Sequence, residues 1–338
     1  MKDKTKLSFN VSEMSSLWTQ YINDSVIICT CGYFLEKVED EEIQPIIEKV
    51  FRIAKQNLTF LKDLFQKEGF PVPQGFTEED VNYNAPRLFS DTFALTYIKN
   101  LSMLSLLANA TALGLVTRPD VVAFHENMLK EAVSVHSETR ELLLKQGTYV
   151  KPPYIPIPDK VGFVTKQNFL DGLVGKKRPL TSIEISHLYF NVQTNAFGKA
   201  MIIGLAQTSQ DQRVKKLLLR GKDISQKHLE LFRDILQGEN LPAPSGWDAT
   251  VMDSTTQVFS DKLTLFHVGA MIAAGVGNYG TAMAASPRKD IALKYASLIP
   301  EISTYAEEIA EFLIDKGWME EPPMSCNRDE LIKEGKKE

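Results

Sequence analysis

Five histidines, three cysteines and a surplus of carboxylates are the side chains of this chain with the chemistry to hold a metal or move a proton. A carboxylate-bridged di-iron centre between helices needs a glutamate from each of two helices and a Glu-x-x-His pair from each of two others. Only His187 has a glutamate three residues before it, Glu184, and Thr181-x-x-Glu184 already has the chemistry of a helix-capping box. His125, His136, His228 and His267 are preceded at that spacing by Val122, Val133, Ser225 and Thr264, so the typical di-iron motif is absent. A smaller centre remains conceivable in the second half. His228 lies on the helical apolar series Leu217, Gly221, Ile224, His228, Phe232, and His267 on Leu263, His267, Ala270, Ala274, Gly277, while Glu301, Tyr305 and Glu308 share one later helix face. His228, His267, Glu308 and Tyr305 are the candidate ligands, with His187 and Glu184 as a second choice. Two imidazoles and a carboxylate would take a single Zn, Fe or Mn ion. Opposing this, the two histidines count from opposite ends of a bundle and fall roughly 10 Å apart along its axis at 1.5 Å per residue. Histidines bonded to Tyr305 or the glutamates in a packed core are the simpler expectation.

Other motifs read as packing. Gly275-Val-Gly277-Asn-Tyr-Gly280 matches the dinucleotide fingerprint but lies in mid-helix with no strand before it, so no cofactor is expected from it. With Gly269, Ala270, Ala273, Ala274, Ala284 and Ala285 it suggests a helix closely approached by neighbours. Cys29 and Cys31 sit in the apolar run VIICTCGYF and belong to a core. No nucleophile, histidine and acid assemble into a triad.

The elements that must carry these residues occur twice. FSDTFALTYI from Phe89 repeats as FSDKLTLFHV from Phe259, and a shift of 170 carries Arg118 onto Arg288, Asp120 onto Asp290, Glu131 onto Glu301, Glu138 onto Glu308 and Gly147 onto Gly317. Upstream the shift is 171, taking Glu13 onto Glu184, so one residue is lost in a loop. Under this overlay His187, His228 and His267 face Ser16, Asn57 and Tyr97, which assigns any chemistry to the second module. Apolar residues recur at three and four without period-two alternation, so both modules are helical. Helix starts are expected at Asn10-x-x-Glu13 and Thr181-x-x-Glu184, second helices over about 42–68 and 211–238, third helices after each FSD, and fourth helices over about 119–146 and 289–316, the last kinked at Pro300. The roughly twenty-residue loop between helices two and three can span about 60 Å, enough to cross a bundle and leave those helices parallel. The fold class is all-α: two tandem ferritin-like four-helix bundles related by internal duplication, at 7–153 and 178–323. A linker, 154–177, joins them, and a charged tail, 324–338, follows.

A net charge of −5 without a basic face argues against nucleic acid. The stretch from Leu263 to Ser286 carries no charge and Asn100–Thr117 nearly repeats it, but polar residues inside both and the lack of basic flanks favour burial over a membrane span. Both third helices are expected near the contact between modules. The amino-terminal residues lack the apolar core of a secretory signal, and the sparse thiols read as reduced, so a cytoplasmic location is expected. In the linker, Pro152, Pro153, Pro156 and Pro158 enforce an extended part, while Phe163, Val164, Phe169, Leu170, Leu173 and Val174 suit a short amphipathic piece that docks one bundle on the other, or binds a lipid or partner.

The segments VEDEEIQPIIE (38–48), GFTEEDVNYNAPRLFSDTF (75–93), KPPYIPIPDKV (151–161), TNAFGKA (194–200) and FSDKLTLFHVGAMIAAGVGNYG (259–280) resemble a tandem family of unknown function from spore-forming Gram-positive bacteria. The resemblance covers nearly the whole chain and implies two ferritin-like bundles and kinship with spore-coat-like proteins, without an assigned activity. The expected function is that of a structural or interaction protein, spore-associated and capable of self-association. The competing expectation is a metal- or small-ligand-binding protein with its site in module two.

Overall fold

The computed structural model describes residues 8–173, 175 and 177–334 and is built from helices. Module one holds α1 (Val11–Lys37), α2 (Gln44–Glu68), α3 (Asp91–Leu113) and α4 (Pro119–Lys145). Module two holds α5 (Ser182–Thr208), α6 (Gln212–Gly238), α7 (Asp261–Ala285) and α8 (Lys289–Asp315), and a short α9 (Arg328–Glu334) lies in the tail. Among the described residues there is no β-strand, only two isolated bridges. Both expected capping boxes are present, Asn10 with Glu13 and Thr181 with Glu184. Ser90 and Ser260 of the two FSD motifs cap α3 and α7 by accepting from Phe93 and Leu263. Helix α8 runs unbroken through Pro300. Leu7, Val174 and the final four residues of the tail lie outside the described residues.

The helix directions follow from which side chains meet. Along α2 and α4, Lys49 meets Glu138, Asn57 meets Met128 and Glu68 meets Arg118, so these helices run antiparallel. In module two Arg220 meets Glu308, His228 meets Glu301 and Glu239 meets Arg288 in the same order. Since α3 and α4 are a short-loop antiparallel pair, α2 and α3 are parallel, and so are α6 and α7. The long connections therefore cross the bundle in both modules. Short helical turns at Glu78–Asp80 and Asp248–Thr250 stand 170 apart, which places the lost residue just before them.

These crossing segments also join the modules. Asn82 N–H donates to the Val258 carbonyl (2.7 Å) and Met252 N–H to the Leu88 carbonyl (2.8 Å), while Ser90 N–H donates to Thr250 (2.9 Å) and Ser260 N–H to Asp80 (2.8 Å). Each pair becomes the other under the shift of 170, the signature of an approximate two-fold axis. Near that axis α3 and α7 touch through equivalent residues, Tyr97 and His267, 2.7 Å apart. Phe89, Phe93 and Phe197 form a three-ring stack across the junction, with centroid separations of 4.2 and 4.5 Å. Gly204 admits this stack, because a Cβ there would lie 2.7 Å from the Phe89 ring. One apolar cluster consequently runs through both bundles.

Two expectations about surfaces change. Among the described residues of the linker the regular piece is a single helical turn, Gln167–Leu170; of the apolar residues expected to dock, Phe163, Val164, Leu170 and Leu173 are exposed, while Phe169 is half-buried beneath the Arg178 guanidinium. Both backbone and charge tie this region down: just before the linker the Lys151 and Val150 carbonyls accept from Tyr189 and Gln193, and within it the Phe169 carbonyl accepts from Arg178 while Asp171 pairs with Lys289 and Lys177 with Asp290. The small residues of α7 are likewise not filled by neighbours. A Cβ at Gly269, Gly277 or Gly280 would meet nothing within 4 Å, and Ala270, Ala273, Gly277, Thr281 and Ala284 are exposed. The apolar third helices are thus buried along one face and bare along another. Among the described residues no helix is long and apolar enough to cross a membrane.

Candidate functional site

The expected ligand residues separate into different neighbourhoods. His228 is fully buried on α6, with Nε2 2.9 Å from Glu301 Oε2 on α8 and Nδ1 3.0 Å from the Tyr279 hydroxyl on α7. Tyr279 is bonded in turn to Asn195 of α5 (2.9 Å), and Lys227 closes the outer end with both ammonium contacts to Glu301 at 2.9 Å. One proton arrangement satisfies the whole chain: Asn195 N–H donates to Tyr279, Tyr279 O–H to Nδ1, and Nε2–H to an ionised Glu301. Burial holds the His228 pKa below its ordinary value, against the opposing pull of Glu301. Burial would raise Glu301, but its bonds from His228 and Lys227 prevail and keep it low. A neutral imidazole on a carboxylate follows.

His267 belongs to the junction between modules. Its Nε2 is bonded to Tyr97, and its buried Nδ1 has no partner among the described residues. Burial pushes its pKa down to about 4. Tyr305 donates to the Leu217 carbonyl (2.9 Å), its ring pressed on Gly221, where a Cβ would sit 2.3 Å from the hydroxyl. Glu308 is paired with Arg220. His228, His267, Glu308 and Tyr305 therefore have separate sets of partners, and among the described residues no group of three His, Cys, Asp or Glu side chains is placed to hold a metal. His228 is bonded to a glutamate, but Glu301 rather than Glu308, and Tyr279 stands in the place expected for Tyr305.

The second-choice pair is also divided. Glu184 accepts from Thr181 N–H (2.8 Å), from Arg288 N–H (3.0 Å) and from both arms of Arg178 (2.8 and 2.9 Å), and these bonds overcome burial to bring its pKa to about 2. His187, half-buried, contributes its carbonyl to Asn191. Glu13 makes the matching corner in module one, accepting from Asn10, Thr117 and Arg118 backbone amides. Arg118 binds Glu68 and Asp120 just as Arg288 binds Glu239 and Asp290. The repeated acidic and basic residues are therefore architectural clamps.

Module one has a polar centre that histidine spacing did not disclose. Asp24 is 1% exposed on α1, bonded among the described residues by Gln20 (2.9 Å) and, at 3.5 Å, by Asn57. Burial pushes its pKa up to about 7. In the same module His125 is held by Asn109 (2.8 Å) and Ser16 (3.1 Å). Under the repeat Ser16, Gln20, Asp24, Asn57, Asn109 and His125 overlie His187, Asn191, Asn195, His228, Tyr279 and Tyr295. The signal that finds both centres is polarity shared by overlaid positions, not residue identity. Cys29 and Cys31 are buried with thiol pKa values pushed up to about 12 by burial, which leaves them protonated and unreactive.

Two tandem helical bundles with crossing connections, joined about an approximate two-fold axis, define the class of protein. Within that class, residues 1–161 and 168–331 each match the family described as a protein of unknown function, DUF3231, and the chain belongs to that family as two consecutive copies. Among solved structures, a protein of Bacillus halodurans C-125 provisionally described as a spore coat protein is similar at 17% identity, over 44% of this chain and 98% of that one, with a TM-score of 0.40. No curated protein matches the chain.

Proposed function

We propose that this chain is a non-catalytic structural or interaction protein whose working surfaces are the bare faces of α3 and α7. The observation that carries this reading is exposure. Leu104 and Leu107 lie open on the uncharged second half of α3, Leu107 at 59%, with Leu115 open just past its end, and the Ala and Gly row of α7 lies open on its equivalent. Contiguous apolar surface of this kind marks contact with other macromolecules. Of the candidate side chains, His228 is bonded to Glu301 and Tyr279, His267 to Tyr97, Glu308 to Arg220 and Tyr305 to backbone, which supports the same reading. A cytoplasmic location with incorporation into the spore is the setting that the sequence resemblance suggests. Two measurements test the proposal. Sedimentation over a concentration series should show self-association that Leu107→Glu abolishes, and immunodetection should show accumulation during sporulation. A monomer at all concentrations removes self-association, and unchanged levels in vegetative cells remove the spore. Elemental analysis of protein purified without chelators addresses the competing view, since a stoichiometric Zn, Fe or Mn ion would replace this proposal with a metal-binding function in module two.

A further inference from the structure

Helices α3 and α7 each turn one side to the junction between modules, and that side continues past it. At alternating spacings of four and three, Phe93, Tyr97, Asn100, Leu104, Leu107 and Thr111 fall on one side of α3. Its beginning is occupied, with Phe93 stacked on Phe197 at 4.5 Å and Tyr97 bonded to His267. Beyond Asn100 the same side is bare, Leu104 and Leu107 being exposed. The overlaid side of α7 runs Leu263, His267, Ala270, Ala274, Gly277 and Thr281. There His267 is occupied by Tyr97, whereas Ala270, Gly277 and Thr281 are exposed. The two bare halves are thus equivalent in position and opposite in relief. Leu104 and Leu107 overlie Ala274 and Gly277, so one face projects side chains where the other has almost none. A Cβ at Gly277 or Gly280 would meet nothing within 4 Å, which leaves room over the α7 backbone. Neither 100–117 nor 263–286 contains Asp, Glu, Lys or Arg.

We propose that these faces are covered by a second copy of the chain, and that the contact joins unlike faces: the leucines on the bare half of α3 in one copy pack onto the small-residue half of α7 in the next. The contact within the chain supports this choice by continuity, because α3 already meets α7 through the first part of the same two sides. A second copy extends that interface over the part it leaves unused. Helices pack closely when large side chains face small ones. Leucine against leucine would leave the α7 face uncovered, and alanine against glycine would bury little apolar area per residue. With no charge on either half, no ion is desolvated when the two meet. Each copy carries one face of each kind, so the contact passes from copy to copy instead of pairing like with like. The pairing rests on the self-association proposed above and specifies which faces meet.

Two variants of the full chain separate the faces. Leu107→Glu charges the α3 face and Gly277→Glu the α7 face, and both positions are exposed, so circular dichroism should show each folded like the wild type. At a concentration where the wild type is largely associated, sedimentation velocity should find each variant monomeric on its own, because every copy lacks the same face. Mixed in equal amounts, the two recover one intact contact, α3 of the Gly277→Glu chain on α7 of the Leu107→Glu chain, and should sediment as dimers. Association of Leu107→Glu alone would show α7 meeting α7, and association of Gly277→Glu alone would show α3 meeting α3. A mixture that stays monomeric would show that the unlike faces do not meet. Each of these results overturns the pairing while leaving self-association in place. A wild type that is monomeric at all concentrations overturns the pairing together with the reading it rests on.

Discussion

Asp24 and its overlaid partner Asn195 pose the same structural problem with different charges. Both stand on the first helix of their bundle beside the position of Asn57 or His228, yet Asn195 is neutral and bonded to Tyr279, while Asp24 has two amide donors and no cation. A carboxyl whose pKa is about 7 folded and ordinarily 3.8 favours the protonated folded form. Its contribution to stability is complete below about pH 4 and lost as the pH rises through 7, a difference on the order of 4 kcal/mol. Asp24→Asn should therefore raise Tm at pH 8 by several degrees and leave it nearly unchanged at pH 4, measured by calorimetry at both values. Equal shifts at the two pH values would show that Asp24 is not the titrating group. His228 gives a complementary expectation. Truncation by His228→Ala leaves a cavity and removes one bond each from Glu301, which keeps Lys227, and Tyr279, which keeps Asn195, and should cost about 2–4 kcal/mol in chemical denaturation. Zinc, iron and manganese should leave the Tm of the wild type unmoved if the imidazole is only a core residue; a metal-dependent rise that His228→Ala removes would restore it as a ligand.

Helices test the same logic through glycine. Gly221 and Gly277 both sit inside helices, where glycine costs about 1 kcal/mol relative to alanine. A Cβ at Gly277 meets open space, whereas one at Gly221 would sit 2.3 Å from the Tyr305 hydroxyl. Gly277→Ala should therefore stabilise the protein by about 0.5–1 kcal/mol, and Gly221→Ala should destabilise it by about 1–3 kcal/mol, both read from urea midpoints at unchanged m. This contrast also shows where sequence reasoning was sufficient. Helix starts, the crossover and the duplication were legible because capping boxes, loop length and an ungapped overlay are local or one-dimensional signals. The direction of a bare face is not. In α7 the small residues repeat at helical spacing whether the face is covered or open, so the pattern pointed to close packing that the fold does not supply. The same ambiguity affected His267, whose inward series is real but faces Tyr97 of the first bundle, and the linker, whose apolar residues satisfied a helical pattern of which one turn, Gln167–Leu170, is formed.

At the scale of the whole molecule, duplication has made one folding unit instead of two. The apolar cluster is continuous across the junction, Phe89 of one module enters the space left by Gly204 in the other, and reciprocal backbone bonds tie the crossing segments together. Neither bundle can shed its neighbour without exposing this surface, so calorimetry near pH 7 should show a single transition whose calorimetric and van't Hoff enthalpies agree. Acid is the means of separating them. Burial holds His267 at about 4, below its ordinary value of 6.5, and its Nδ1 has no partner among the described residues. A group with a lowered pKa contributes its full stability above pH 6.5 and loses it as the pH falls towards 4, here on the order of 3 kcal/mol. His125 is lowered to about 4 within module one, so acid strains that bundle as well, and the two effects must be told apart. His267→Phe removes the titration at the junction and leaves His125 in place. Between pH 6.5 and 4 the wild type should lose its single transition and resolve into two, while His267→Phe should keep one transition further into acid. Two transitions for the variant at the same pH as the wild type would place the acid-sensitive element inside module one and not between the bundles.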